Sequence, residues 1–182
     1  MPRLQASRGA RPVAVDPDAP ERAPSPHLGR LYLSLLLTAA VVVALDQGTK
    51  QLALSHLGDG PIDLIEGILR FRLTYNSGGA FGLLQGLPGF FLVATLVIVG
   101  GILIGLRRLE DPRWAIPLGL VLGGGIGNAV DRVVRDTGGG VVDFIDLHVW
   151  PVFNIADMSI VVGVFSILIL GWRTGDGSDP SG

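Results

Sequence analysis

Four aspartates, Asp46, Asp131, Asp143 and Asp157, stand in or beside long apolar runs, and their neighbours divide them by the chemistry open to each. Asp46 precedes Lys50 by four residues, an acid-before-base spacing that puts both on one helical face and favours a structural ion pair. Asp131 has Arg132 beside it and Arg135 four residues on, so a paired, structural carboxylate is expected there too. Asp143 and Asp157 differ. Neither has a Lys or Arg within five residues, and a local cation is what would favour the charged form. They are the candidates for a pair sharing one proton, in which one carboxyl acts as base and the other as acid. Such a pair activates water for amide hydrolysis with no metal and no side-chain nucleophile. Two plainer roles stand against this: Asp157 as a helix N-terminal carboxylate favoured by the dipole, and Asp143 as a solvated loop acid.

Composition removes other chemistries. The chain of 182 residues has no cysteine, which excludes disulfides, thiolate metal sites and a cysteine nucleophile, and only three scattered histidines, His27, His56 and His148. No metal or cofactor is expected. A net charge of -2 gives no electrostatic footprint for nucleic acid. Only 16% of residues are charged against 48% hydrophobic, and mean hydropathy is +0.52, which is not a soluble composition.

The apolar residues fall into four blocks, roughly 31 to 52, 88 to 106, 114 to 134 and 153 to 172, each predicting a membrane helix. Only the block from Pro88 to Leu106 spans without a charge. The uncharged runs Leu31 to Leu45, Trp114 to Val130 and Met158 to Trp172 are 15, 17 and 15 residues long, so each reaches spanning length by taking in Asp46, Asp131 or Asp157. With both termini inside, nine of the fourteen bases lie on the inner side, and Lys50, Arg70, Arg72, Arg132 and Arg135 on the outer. Asp46 then ends the first helix, Asp131 ends the third and Asp157 begins the fourth, all near the outer surface. The short first run, with Ala44 near its end, also fits a cleaved signal peptide, but the long Pro-rich leader and three further spans favour an uncleaved helix. Residues 1 to 29 and 174 to 182 lack apolar periodicity and are expected to be disordered cytoplasmic tails around a membrane domain of residues 30 to 173.

An outer segment, about 58 to 87, separates the first two helices. Partial alternation over Ile62 to Tyr75, clearest at Leu69-Arg70-Phe71-Arg72-Leu73, predicts a small β element leading into Asn76-Ser77-Gly78-Gly79-Ala80-Phe81-Gly82. The glycines of Gly123-Gly124-Gly125-Ile126-Gly127 permit close helix packing, and no Gly-Lys-Ser/Thr ending makes them a phosphate loop.

Five ordered motifs carry a family resemblance: Asp46-x-x-x-Lys50, Tyr75 to Gly82, Gly123-Gly124-x-x-Gly127-Asn128-x-x-Asp131-Arg132, Val141-Val142-Asp143-Phe144-Ile145, and Phe153-Asn154-Ile155-Ala156-Asp157. Over about residues 31 to 172 the chain resembles bacterial lipoprotein signal peptidase, or signal peptidase II. The resemblance implies an aspartic endopeptidase of the inner membrane that removes signal peptides from prolipoproteins, cutting before the diacylglyceryl-modified cysteine. It places the catalytic pair on Asp143 and Asp157, and Asn76, Asn128, Arg132 and Asn154 around the substrate. Asp46, Lys50, Gly127, Asp131 and Ala156 would support them.

 Within the last motif Ala156 sits between the apolar Ile155 and the candidate acid Asp157.

The fold class expected is thus an α-helical integral membrane protein with four transmembrane helices and a small extracytoplasmic β element. Its expected partners are lipidated prolipoproteins and membrane lipids, and the chain is expected to act as a monomer. The competing class is a transporter or proton-coupling protein, because intramembrane acids also mark proton relays. A relay would use Asp46, Asp131 and Asp157 at helix ends and would not require Asp143.

Overall fold

A computed structural model describes residues 26–77, 88–105, 111–135 and 137–175. Of the expected tails 1–29 and 174–182, residues 1–25 and 176–182 lie outside the described residues, as does the segment Gly78 to Gly82, while residues 26–29 and 174–175 belong to the first and last helices. In chain order the elements are α1 (Pro26–His56), β1 (Ile62–Ile65), β2 (Leu69–Asn76), α2 (Pro88–Gly105), a 3-10 turn (Pro112–Trp114), α3 (Ala115–Val134), β3 (Val141–Asp146) and α4 (Ile155–Gly175).

The packing is polar inside and apolar outside. Lys50, Asp46, Asp131, Asp143 and Asn154 are among the largest fully buried side chains, while Leu33, Leu37, Leu45, Val97, Val161, Phe165 and Leu168 are exposed. A water-soluble fold would reverse this, because unpaired burial of charge is costly and exposed apolar surface is not hidden from water. Two helices, Leu28–His56 and Ile155–Arg173, are long and apolar enough to cross a bilayer, with only 22% and 17% of their most apolar windows buried. A soluble core helix would be mostly buried, so these surfaces suit lipid.

Helix α3 is the axis of the molecule and packs on α1, α2 and α4. Its glycines make that possible. A Cβ at Gly119 would lie 2.8 Å from the Leu35 carbonyl oxygen, and one at Gly123 2.8 Å from that of Ala39, so the α1 backbone occupies the space a side chain would need. Gly124 meets the Ala156 carbonyl of α4 in the same way, and Gly163 of α4 meets the Pro117 carbonyl of α3. At the start of the 3-10 turn that leads into α3, the Asp111 carboxylate accepts the Arg113 N–H at 2.9 Å, a cap that Pro112 favours by having no N–H of its own to satisfy.

The expected β element is present, but it has a third strand. β1, β2 and β3 form an antiparallel sheet in that order, with Asp63 opposite Arg70 and Thr74 opposite Asp143. Asp143 is therefore a strand residue, 1% exposed, and not a solvated loop acid. The segment Val141 to Asp146 is rich in β-branched and aromatic residues, but its partner strand lies far upstream, where local pattern gives no cue. Gly138 and Gly139 turn the chain into β3 at φ of 64° and 82°, a left-handed backbone that glycine adopts without strain. A second correction concerns Asp46. Helix α1 continues ten residues beyond it to His56, so Asp46 lies inside the helix, where its ion pair makes an interior acid tolerable.

Candidate active site

Asp143 and Asp157 line one cavity of about 360 Å³, together with Asn76, Asn128, Arg132 and Trp150. Each carboxylate comes from a different kind of element. Strand alternation turns Val141 and Asp143 toward the cavity, while Phe144, on the opposite face, packs with Ala53 and Leu57 of α1. Asp157 is the third residue of α4. There it forms a reciprocal cap with Asn154: the Asp157 N–H donates to Asn154 Oδ1 at 2.9 Å, and the Asn154 N–H donates to Asp157 Oδ2 at 3.4 Å. The helix-terminal role expected for Asp157 is thus present, and it places the carboxylate at the cavity wall.

Three asparagines connect the pair. Asn76 at the end of β2 donates to Asp143 Oδ2 at 3.0 Å, and Asn128 of α3 donates to Asp157 Oδ1 at 2.8 Å. Asn154 donates through Nδ2 to Asp143 Oδ1 at 2.6 Å while capping α4 beside Asp157, so a single side chain couples both acids. Burial, reinforced by the negative charge of Asp157, pushes the Asp143 carboxyl up to about 7. At the far end of β3, the opposite holds: the His148 N–H and then the Arg72 guanidinium keep Asp146 below the usual carboxylate range.

Behind these groups lies a buried charge cluster. Lys50 Nζ donates to Asp46 Oδ2 at 2.8 Å, Asp131 Oδ2 at 2.8 Å and Asn128 Oδ1 at 3.1 Å. Its three N–H groups are all satisfied, which offsets much of the cost of burying an ammonium. Asp46 Oδ1 accepts the Ala156 N–H at 2.9 Å, tying α1 to the first turn of α4 across 110 residues of sequence. Asp131 also accepts from Arg135 at 2.9 Å and from the Val142 N–H at 3.0 Å, which anchors β3 on α3. Of the two arginines that the sequence sets near Asp131, Arg135 pairs with it and Arg132 turns to the cavity, where Nη1 donates to the Asn128 carbonyl at 3.2 Å. Residues adjacent on a helix point about a quarter-turn apart, whereas Arg135, one turn on, shares the face of Asp131. Gly127 leaves room for the Asp46 carboxylate, since a Cβ there would sit 2.6 Å from Asp46 Oδ2.

Sequence reasoning missed Gln47. Its Nε2 lies 3.1 Å from Asp46 Oδ2, 3.0 Å from Asp131 Oδ1 and 3.0 Å from the Gly127 carbonyl, and its Oε1 accepts from Arg135 at 3.0 Å. An amide inside an apolar helix, adjacent to an acid, was the available signal. Among the described residues no group of three or more His, Asp or Glu is placed to hold a metal.

Comparison with known proteins agrees with this geometry. The sequence profile described as Signal peptidase (SPase) II matches residues 38–173. A protein of Mycolicibacterium smegmatis named lipoprotein signal peptidase is 43% identical over 194 residues, covering 97% of this chain and 81% of the relative. A lipoprotein signal peptidase of Rhodococcus jostii is 43% identical over 87% of this chain and 81% of its own length. Among solved structures, a bacterial membrane enzyme determined by the in meso method superposes with a TM-score of 0.73 at 30% identity, covering 82% of this chain and 93% of that one.

Proposed function

The chain belongs to the signal peptidase II family, a membrane protease that processes prolipoprotein signal peptides, and from that premise we propose that it is an aspartic endopeptidase with Asp143 and Asp157 as its catalytic pair. The observation that carries the assignment is the placement of two carboxylates, Asp143 buried and Asp157 half-buried, on one cavity wall, joined by Asn154. With one proton between them, the ionised carboxyl takes a proton from a water molecule as it attacks the scissile carbonyl. The protonated carboxyl supports the developing tetrahedral oxygen and then supplies the proton that the leaving amine requires. Asn76, Asn128 and Arg132, which line the cavity, bind and orient the peptide around the pair; Asn154, expected at the substrate, is fully buried and off the cavity wall, and with Asp46, Lys50, Gly127, Asp131 and Ala156 it holds the frame. No cofactor enters this scheme.

In the bilayer, α1 to α4 all span, both termini are cytoplasmic, and the sheet and the cavity lie at the outer face of the cytoplasmic membrane. This arrangement is supported by the lengths of α2 and α3, 18 and 20 residues, and by the bias of basic residues toward the inner segments. The chain acts as a monomer. A diacylglyceryl group on the substrate cysteine stays in the lipid and fixes the depth of the adjoining peptide, so the search for the cavity is two-dimensional. The transporter alternative is not favoured by the family, and it leaves Asp143 without a role.

The purified protein should release the signal peptide from a diacylglyceryl-modified prolipoprotein, read as a mass loss. An unlipidated precursor should be cut far more slowly. Equal rates on both would overturn the lipid-dependent placement, and no cleavage of the lipidated form would overturn the peptidase assignment.

A further inference from the structure

The proton inventory of the buried cluster fixes more than a charge balance. A protonated lysine has three donors and no acceptor, so the Asn128 atom 3.1 Å from Lys50 Nζ must be its oxygen. That decides the other half of the carboxamide: Nδ2 must face Asp157, at 2.8 Å. The same oxygen also receives Asn154 Nδ2 at 3.1 Å. Asn154 is thereby oriented as well, with Nδ2 toward Asp143 Oδ1 at 2.6 Å and Oδ1 toward the Asp157 N–H at 2.9 Å. One donor-only group sets the direction of two carboxamides, and through them both carboxylates receive donors.

We propose that Lys50 is a positioning residue for the reaction, directing the Asn128 and Asn154 carboxamides so that their N–H groups hold Asp157 and Asp143 in place. This rests on the dyad assignment above and extends it. Lys50 itself is fully buried and does not line the cavity, so it does not meet the substrate. The charged groups around it are Asp46 on α1, Asp131, Arg132 and Arg135 on α3, Asp143 on β3 and Asp157 on α4. Without the ammonium, the Asn128 oxygen loses a charged donor, and a flip would bring that oxygen against the Asp157 carboxylate.

The test uses the full chain in detergent with a diacylglyceryl-modified prolipoprotein, measuring kcat and KM against pH. Lys50→Gln should fold, lower kcat by about a hundredfold, the usual cost of loosening a reacting group, change KM little and displace the pH profile. A folded variant with the wild-type profile and kcat would overturn the proposal. Because Lys50→Gln leaves the buried Asp46 carboxylate without its cation, while Asp131 keeps Arg135 at 2.9 Å, Lys50→Gln/Asp46→Asn removes both charges of the pair together and should show the same kcat loss with a native melting transition. Wild-type protein gives a reading independent of any variant. With asparagine labelled by 15N, the Asn128 carboxamide protons should be slow to exchange with solvent and shifted over the same pH range as activity, and exchange as fast as that of an exposed asparagine with no such shift would refute a fixed orientation. Failure of the dyad itself is distinguishable, because Asp143→Asn and Asp157→Asn would then remain active.

Discussion

Gly127→Ala adds one methyl group at the closest approach of α3 to the Asp46 carboxylate. The new Cβ would lie 2.6 Å from Asp46 Oδ2, 3.1 Å from its Cγ and 3.4 Å from the Ala156 Cβ. The carboxylate has little freedom to yield, being held by Lys50 at 2.8 Å and by the Ala156 N–H at 2.9 Å. Overpacking costs about 1–3 kcal/mol, and alanine returns about 1 kcal/mol through helix propensity, leaving a net loss of up to about 2 kcal/mol. Gly48→Ala is the control: it lies on the same turn of α1 as Asp46, and a Cβ there meets nothing within 4 Å. It should be neutral or gain up to about 1 kcal/mol. The propensity gain is common to both variants, so the gap between them is the overpacking cost, and at about 2–4 °C per kcal/mol for a chain of this size Gly127→Ala should melt below Gly48→Ala by roughly 2–12 °C. Thermal unfolding in one detergent measures the gap, and peptide release measures the accompanying loss of turnover. Equal melting temperatures with full activity in both variants would refute the claim that the Asp46 carboxylate is rigidly seated.

Asp143→Asn and Asp157→Asn should each abolish peptide release in chains that still melt cooperatively, since neither leaves a complete acid and base; near-normal cleavage by either would remove it from the pair. The folded protein binds more protons than the unfolded chain between the ordinary carboxylate value of 3.8 and the raised Asp143 value of about 7, so this group's contribution to stability falls as pH rises through that window. The melting temperature of wild type relative to Asp143→Asn should therefore decline from acid to neutral pH, and a difference that grows would contradict the burial argument. Arg132→Lys keeps the charge at the cavity but loses the planar fork, and kcat/KM should drop by about tenfold or more; wild-type kinetics would show that charge alone suffices there.

How far the sequence could be read depended on the distance over which each interaction acts. Asp46 and Lys50 are four residues apart on one helix, and their pairing at 2.8 Å follows from helical geometry alone. The glycines of α3 likewise announce close packing, although which helix each one meets is a tertiary fact. The absence of cations near Asp143 and Asp157 pointed to the two acids that the fold brings to one cavity. What local pattern could not supply was the pairing of β3 with β2, because Asn76 and Asp143 are separated by 67 residues. Asp131 is paired, as its neighbours implied, with Arg135 at 2.9 Å, whereas its second cation, Lys50, comes from another helix at 2.8 Å and left no local cue. Asn154 read as a motif member, and only the folded chain reveals it as the link between both acids.

The bond between Asp46 and the Ala156 N–H, spanning 110 residues, also bears on how the chain is made. During synthesis α1 emerges first, with Asp46 and Lys50 already in place, while Asn154 and Asp157 arrive after nearly all the remaining helices. A nascent chain that ends before α4 has one acid of the pair at most and lacks the amide that joins them. On the proposed assignment, proteolytic competence therefore requires the first turn of α4 to dock on Asp46, and a truncated product left in the membrane carries no complete pair of acids with which to cut neighbouring peptides.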